Sequence, residues 1–155
     1  MMLSVVLVDP QIPPNTGNVA RLCTCTNSNM YLVGNLGFFL SDKHLKRAGL
    51  DYWDELNWKY YETLNDLQSE IKGGNYYYVT TKGQKQYTEV NYTTNDILVF
   101  GSETSGLPAD LLEKNHENTI RIPMVNDKRS LNLSNSVSIV LYEAIRQTQV
   151  FKDKC

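Results

Sequence analysis

The sequence predicts an α/β domain built on a mostly parallel sheet with helices on both faces. Two observations carry this. Short apolar, β-branched runs alternate along the chain with stretches whose apolar residues recur at helical spacing. The three most unusual segments each follow a strand directly, which is where open α/β sheets place their ligand-binding loops. No internal repeat, low-complexity tract or linker interrupts the pattern, so one domain over residues 1–155 is expected.

Taken in order, Ser4–Val8 is a β-branched apolar run followed by a loop, Pro10–Gly17. Asn18–Thr26 reads as a helix with Val19, Leu22 and Cys23 on one stripe, and Met30–Val33 as a second strand. Ser41 or Asp42 caps a helix that stops near Gly49. Thr63–Ile71 is a short amphipathic helix ended by Gly73 and Gly74, and Tyr76–Thr80 is a β-rich run. Asp96–Phe100 delivers the chain into a glycine-bounded loop, after which Pro108 occupies the first turn of a helix reaching Lys114. Thr119–Pro123 is a short strand. Asn135–Val150 is the clearest helix, striped by Val137, Val140, Leu141, Ala144 and Ile145.

Composition narrows the classes. Hydrophobic residues at 41% and charged residues at 21% are ordinary globular values. The amino-terminal run lacks a basic flank and is cut short by Asp9 and Pro10, so it reads as a buried strand rather than a signal peptide. No stretch approaches the roughly 18 apolar residues of a membrane helix, so a soluble protein without membrane partners is expected. Cys23, Cys25 and Cys155 are placed for neither a disulfide framework nor, with only His44 and His116 besides, a zinc site. Reduced thiols, a cytoplasmic location and no metal are the expectation. The net charge of −2 is not that of a typical nucleic-acid binder. The cations are nevertheless clustered: Lys43, His44, Lys46 and Arg47; Lys82 and Lys85; Lys128 and Arg129.

Three loops carry chemistry. In Pro13–Arg21, two prolines stiffen the entry, Gly17 permits close backbone approach, and Asn15 and Asn18 offer amide groups. A helix beginning at Asn18 puts Arg21 on its face, where a guanidinium can grip a phosphate with two bonds. A capped helix with a surface arginine fits the same residues. Phe100–Pro108 carries two glycines around polar residues but has neither a Walker ending nor a dinucleotide fingerprint. It is a ligand-wrapping loop or an ordinary turn. Arg129–Ser138 opens the last helix with more Ser and Asn than one cap requires. Its free N–H groups and positive dipole end would suit an anion, and a generously capped helix fits the same residues. Ser130 and Ser134 lack a histidine positioned by sequence and a nucleophile elbow, which speaks against a serine hydrolase.

In this order and spacing, the loops resemble the three motifs of the SPOUT superfamily of RNA methyltransferases. Five segments carry the likeness: Pro13-Pro14-Asn15-Thr16-Gly17-Asn18, Arg47-Ala48-Gly49-Leu50-Asp51-Tyr52, Phe100-Gly101-x-Glu103-Thr104-x-Gly106-Leu107-Pro108, Arg121-Ile122-Pro123-Met124 and Arg129-Ser130-Leu131-Asn132-Leu133-Ser134-Asn135. Together they are similar to the tRNA (cytidine/uridine-34)-2'-O-methyltransferase subfamily. The resemblance implies a carboxyl-terminal deep trefoil knot, an exception to the rule of unknotted chains. It implies a homodimer around that knot, with S-adenosylmethionine as cofactor. Val79, Gly101, Ile122 and Ser130 match the family's cofactor positions, with Met124 and Leu131 as walls. Arg21 matches its essential arginine, which would bind the nucleotide's phosphate and favour the deprotonated 2'-hydroxyl. Asn15 and Asn18 would position the loop or the ribose, Glu103 would fix the loop or Arg21, and Ser130 and Asn132 would order the third motif.

The implied reaction is methyl transfer to the ribose 2'-OH of wobble nucleotide 34 of tRNA, leucine tRNAs in particular. Lys43, Lys46, Arg47, Lys82 and Arg129 are then candidates to grip the anticodon stem-loop through its phosphates. Tyr142 would contact RNA or support the dimer. The run Tyr76–Tyr78 fits a strand core better than a base-stacking platform. Two alternatives stay open. One is 2'-O-methylation of another tRNA or rRNA site; the other is a non-catalytic knotted RNA-binding protein.

Overall fold

The structure, a computed structural model, describes residues 2–41, 43, 47, 53–126 and 129–152. The helix expected after Ser41, apart from Lys43 and Arg47, lies outside these and Lys46 with it; so do Ala48–Tyr52 of the matched segment, and Cys155.

Among the described residues, seven strands form one sheet: β1 (Ser4–Val8), β2 (Asn29–Val33), β3 (Trp58–Tyr61), β4 (Tyr76–Val79), β5 (Lys85–Gln86), β6 (Ile97–Phe100) and β7 (Thr119–Arg121). Their order is β3-β2-β1-β6-β4-β7-β5, and every pairing between them is parallel. The helices lying wholly within the described residues are α1 (Pro13–Thr26), α2 (Leu64–Glu70), α3 (Ala109–Lys114) and α4 (Leu133–Thr148), with a 3-10 turn at His116–Asn118.

Strand alternation sorts the core into two layers. Val5 and Leu7, Met30 and Leu32, and Leu98 and Phe100 point to one face, where Val19, Ala20 and Cys23 of α1 and Val137, Val140 and Leu141 of α4 cover them. Val6, Val8, Tyr31, Val33, Ile97 and Val99 point to the other, against Leu67 of α2 and Leu107. Both faces are therefore covered, as a parallel sheet requires. Each of these aliphatic side chains, taken out of water, contributes roughly 1.5–3 kcal/mol. Tyr77 and Tyr78 are core residues of β4. Burial pushes the Cys23 thiol well above its usual range, while Cys25 is an exposed free thiol.

Several boundaries move. Helix α1 begins at Pro13 rather than Asn18, because the prolines at its first positions lack N–H groups that would go unpaired there anyway. Asn15, Thr16 and Gly17 are thus buried helical residues, not loop. Pro108 precedes α3 instead of lying in its first turn: at ψ 140° it is extended, and its carbonyl accepts from Leu112 N at 3.1 Å. The last helix starts at Leu133, with Asn132 as its cap. Strand β7 ends at Arg121, short of Pro123, which has no N–H for a ladder. Strands β3 and β5 have no counterpart in the sequence reading.

Candidate functional site

At the carboxyl ends of β4, β6 and β7 lies a cleft of about 670 Å³, within the roughly 300–1,000 Å³ typical of small-molecule sites. Val79, Phe100, Leu107, Ile122, Met124 and Leu131 give it apolar walls, and Thr80, Ser102, Ser130 and Ser136 add hydroxyls. All six residues expected to contact a cofactor (Val79, Gly101, Ile122, Met124, Ser130 and Leu131) line this one cleft, as do Glu103 and Lys82.

One wall is the turn that leaves β6. Ser102 O accepts from Gly106 N at 3.0 Å, and Ser102 Oγ accepts from Ser105 N at 3.1 Å while sharing a 2.7 Å bond with Ser105 Oγ. A side chain at position 101 would collide with the backbone of Gly106 and Leu107, and Gly106 sits at φ +65°. Both glycines are therefore demanded by the turn. The segment is a tight turn and a cleft wall at once.

Glu103 projects from that turn toward the amino end of α1. Its Oε2 accepts from Gln11 N at 2.8 Å, and its Oε1 accepts from Ile12 N at 3.0 Å and Asn15 Nδ2 at 3.3 Å. Asn15 Oδ1 in turn accepts from Asn132 Nδ2 at 3.0 Å. Asn132 Oδ1 accepts from Ser134 N at 2.9 Å, Asn135 N at 3.3 Å and Ser134 Oγ at 2.6 Å. One chain of side-chain hydrogen bonds, Glu103–Asn15–Asn132, thus ties the three loops together. Of the two readings of the third loop, the capped helix is present: the amide oxygen of Asn132 takes two N–H groups at the start of α4.

The other candidates lie elsewhere. Asn18 and Arg21 are exposed on the outer face of α1, three residues apart and outside the cleft lining. Lys43, Arg47 and Arg129 are exposed, and Tyr142 is half exposed on α4, which packs beside α1. Among the described residues no cluster of His, Cys, Asp or Glu could hold a metal ion, and no helix is long and apolar enough to cross a membrane.

Two contributors have no counterpart among the sequence candidates. Gln11 gives its backbone N–H to Glu103 and its side-chain amide to Asp9 O at 2.7 Å and Asn35 O at 3.1 Å. Ser102 holds the wall turn. The signal for Ser102 was present, since a serine three residues before another after a strand is a local turn former. That for Gln11 was not, since its partners lie up to 92 residues away.

The sequence model of the SpoU rRNA Methylase family matches residues 2–142. The tRNA (cytidine(34)-2'-O)-methyltransferase of Yersinia pestis is 46% identical over 152 residues, covering 94% of each chain. The protein of that name from Methylovorus glucosotrophus (strain SIP3-4) is 44% identical over 147 residues, 94% of this chain and 96% of that one. A solved structure described as giving structural insights into the 2-OH methylation of C/U34 on tRNA superposes with a TM-score of 0.88 at 38% identity, over 94% of this chain and 95% of its own. The SpoU methyltransferase AviRb of Streptomyces viridochromogenes, solved in complex with AdoMet, shares the fold at a TM-score of 0.85 and 21% identity, over 94% of this chain and 60% of that one. The chain belongs to the SpoU rRNA Methylase family.

Proposed function

We propose that this protein transfers a methyl group from S-adenosylmethionine to the ribose 2'-OH of wobble nucleotide 34 of tRNA, cytidine or modified uridine, with leucine tRNAs as substrates. The observation that carries the reading is the Glu103–Asn15–Asn132 chain, which joins the three motif loops beside a cleft of cofactor size. The tRNA methyltransferases of nearly equal length at 44–46% identity support the choice of nucleotide.

The cleft fits the cofactor chemically. Apolar Phe100, Ile122, Met124 and Leu131 suit the faces of an adenine, and the hydroxyls of Thr80, Ser102 and Ser130 suit a ribose and an amino-acid end. Val79, Gly101, Ile122 and Ser130 would hold it, with Met124 and Leu131 as walls. When bound, S-adenosylmethionine supplies an activated methyl on a sulfonium, so the protein's task is alignment and proton management. Glu103, Asn15 and Asn132 act by position: they hold the amino end of α1 against the cleft, and with it the Asn18–Arg21 face. Arg21, as a permanent cation, binds the nucleotide's phosphate and lowers the cost of an alkoxide on the 2'-oxygen. Ser130 orders the third loop. Lys43, Lys46, Arg47, Lys82 and Arg129 grip the anticodon stem-loop.

The same reading includes a homodimer and a carboxyl-terminal knot in a cytoplasmic protein. Helices α1 and α4 lie side by side, and Asn18, Arg21, Cys25, Asn135 and Tyr142 are exposed on them. These exposed side chains are the surface offered to a second copy. The knot is supported by the turn after β6 and the segment after β7 lining one cleft.

The test is transfer of tritiated methyl from S-adenosylmethionine to tRNA from a strain lacking the protein, followed by mapping of the label. Label on the 2'-oxygen of nucleotide 34 of leucine isoacceptors is expected. Label elsewhere keeps the chemistry and discards the position. No label, with no cofactor bound, would favour a non-catalytic RNA binder.

A further inference from the structure

The lip of the cleft on its β4 side is the segment leaving β4, and strand β7 sets its shape. Thr80 N donates to Ile120 O at 2.9 Å, Gly83 N turns back to Thr80 O at 3.1 Å, and Gln84 N donates to Thr119 Oγ1 at 3.0 Å. A side chain at position 83 would strike the Ile120 carbonyl and the Arg121 amide, so the segment lies flat on β7. Across it reaches Arg121, whose Nη1 donates to Gly83 O at 2.7 Å and Gln84 O at 3.1 Å. The residue after Arg121 is Ile122, which lines the cleft together with Thr80, Thr81 and Lys82. One guanidinium thus links a wall of the cleft to its lip.

The use of arginine here is specific. A guanidinium is a planar fork that can serve two carbonyl groups from a fixed plane, whereas an ammonium is a point charge on a flexible stem. Nor is Arg121 needed to anchor the sheet, because β5 pairs with β7 through Lys85–Ile120 and Gln86–Arg121. Removing its side chain loosens the lip at Gly83 and Gln84 and leaves the ladder.

We propose that Arg121 is a positioning residue of the cofactor cleft: by clasping Gly83 and Gln84 it holds Thr80–Lys82 in the shape that receives S-adenosylmethionine. The proposal rests on the functional reading above. Its test is calorimetric titration of S-adenosylhomocysteine into wild type, Arg121→Ala and Arg121→Lys, alongside amide hydrogen exchange and thermal melting of the free protein. The expected result for Arg121→Ala is affinity weakened by about tenfold or more, because binding must then also order the loosened lip. Exchange should quicken in residues 80–84, with the melting temperature of the free protein close to wild type. Arg121→Lys should fall between. Affinity within twofold of wild type in Arg121→Ala overturns the proposal. If Arg121→Ala does not fold, Arg121→Lys decides: weaker binding at an unchanged melting temperature supports it, and wild-type affinity overturns it. A wild-type protein that binds no S-adenosylhomocysteine overturns the functional reading, and the proposal with it.

Discussion

Strand β6 is flanked by a carboxylate at each end, and the two are surrounded in opposite ways. At the amino end Asp96 is fully buried and accepts four bonds: Thr93 N at 2.7 Å, Thr93 Oγ1 at 2.8 Å, Asn75 N at 2.9 Å and Asn75 Nδ2 at 3.1 Å. Its donors lie 3 and 21 residues away and close the turns entering β4 and β6. At the carboxyl end Glu103 is only half buried, and its donors, Gln11, Ile12 and Asn15, lie 88–92 residues away on the segment leading into α1 and on its first turn. The first carboxylate saturates itself on its own surroundings. The second draws a distant loop to the edge of a cleft. Identical chemistry thus serves stability at one end of the strand and organisation of a site at the other, in keeping with ligand sites at carboxyl strand ends.

The contrast can be broken first at Asp96. Replacing it with Ala removes the acceptor of four part-buried bonds, and unfolding free energy should fall by about 2 kcal/mol, measured by denaturant titration. The folded fraction should keep its specific methyl-transfer activity. An Asp96→Ala protein of wild-type stability but low activity would remove the distinction between the two ends.

Glu103→Gln gives the complementary outcome. The amide keeps one acceptor oxygen but cannot accept on both sides, so Gln11 and Ile12 are no longer held together. A displacement of the loop by about 1 Å lowers kcat/KM by about 100-fold, while stability falls by no more than about 1 kcal/mol. Melting and single-turnover methylation on the same preparation check both halves. Next in size is Asn132→Ala, which removes the cap of α4 and the bond to Asn15 together. The lost cap alone costs about 1 kcal/mol. If Asn132 acts through Asn15, the double variant with Asn15→Ala should lose less activity than the product of the two single losses.

Much of this was legible in the sequence wherever one physical cause dominated. Buried strands announce themselves as apolar runs, and β1, β2, β4, β6 and β7 are such runs to within a few residues. Strand β3, Trp58–Tyr61, was missed because it is the sheet's outer strand with Lys59 and Tyr60 exposed, so no apolar run marks it. Lys85–Gln86 is a strand only because Ile120 and Arg121 lie beside it. In the site, Glu103 and Asn132 stand out as polar residues in loops after strands. What could not be read is that Asn15 lies between them, since that contact spans 117 residues on one side and 88 on the other. Nor could the start of α1 be read, because the Pro13-Pro14 pair marks a helix start and a stiff loop equally well.

The smallest expected effect concerns β4, which repeats the contrast within one strand: its tyrosines pack in the fold while its carboxyl end opens on the cleft. Burial raises the hydroxyl pKa of Tyr77, Tyr78 and Tyr92, and pushes that of Tyr76 up to about 12. The unfolded chain releases these protons near pH 10. A raised folded pKa means stability that is whole below pH 10 and is lost as pH rises toward the folded value, here through about 12 for Tyr76. Denaturant melts at pH 9, 10 and 11 should therefore show declining stability. Tyr76→Phe loses the bond its hydroxyl donates to Ile71 O at 2.8 Å, an offset of about 1 kcal/mol at every pH. It also loses one titrating proton, so its decline above pH 10 should be shallower than that of wild type. An identical slope in the two proteins would assign the alkaline loss to the deeper tyrosines and remove Tyr76 from the account.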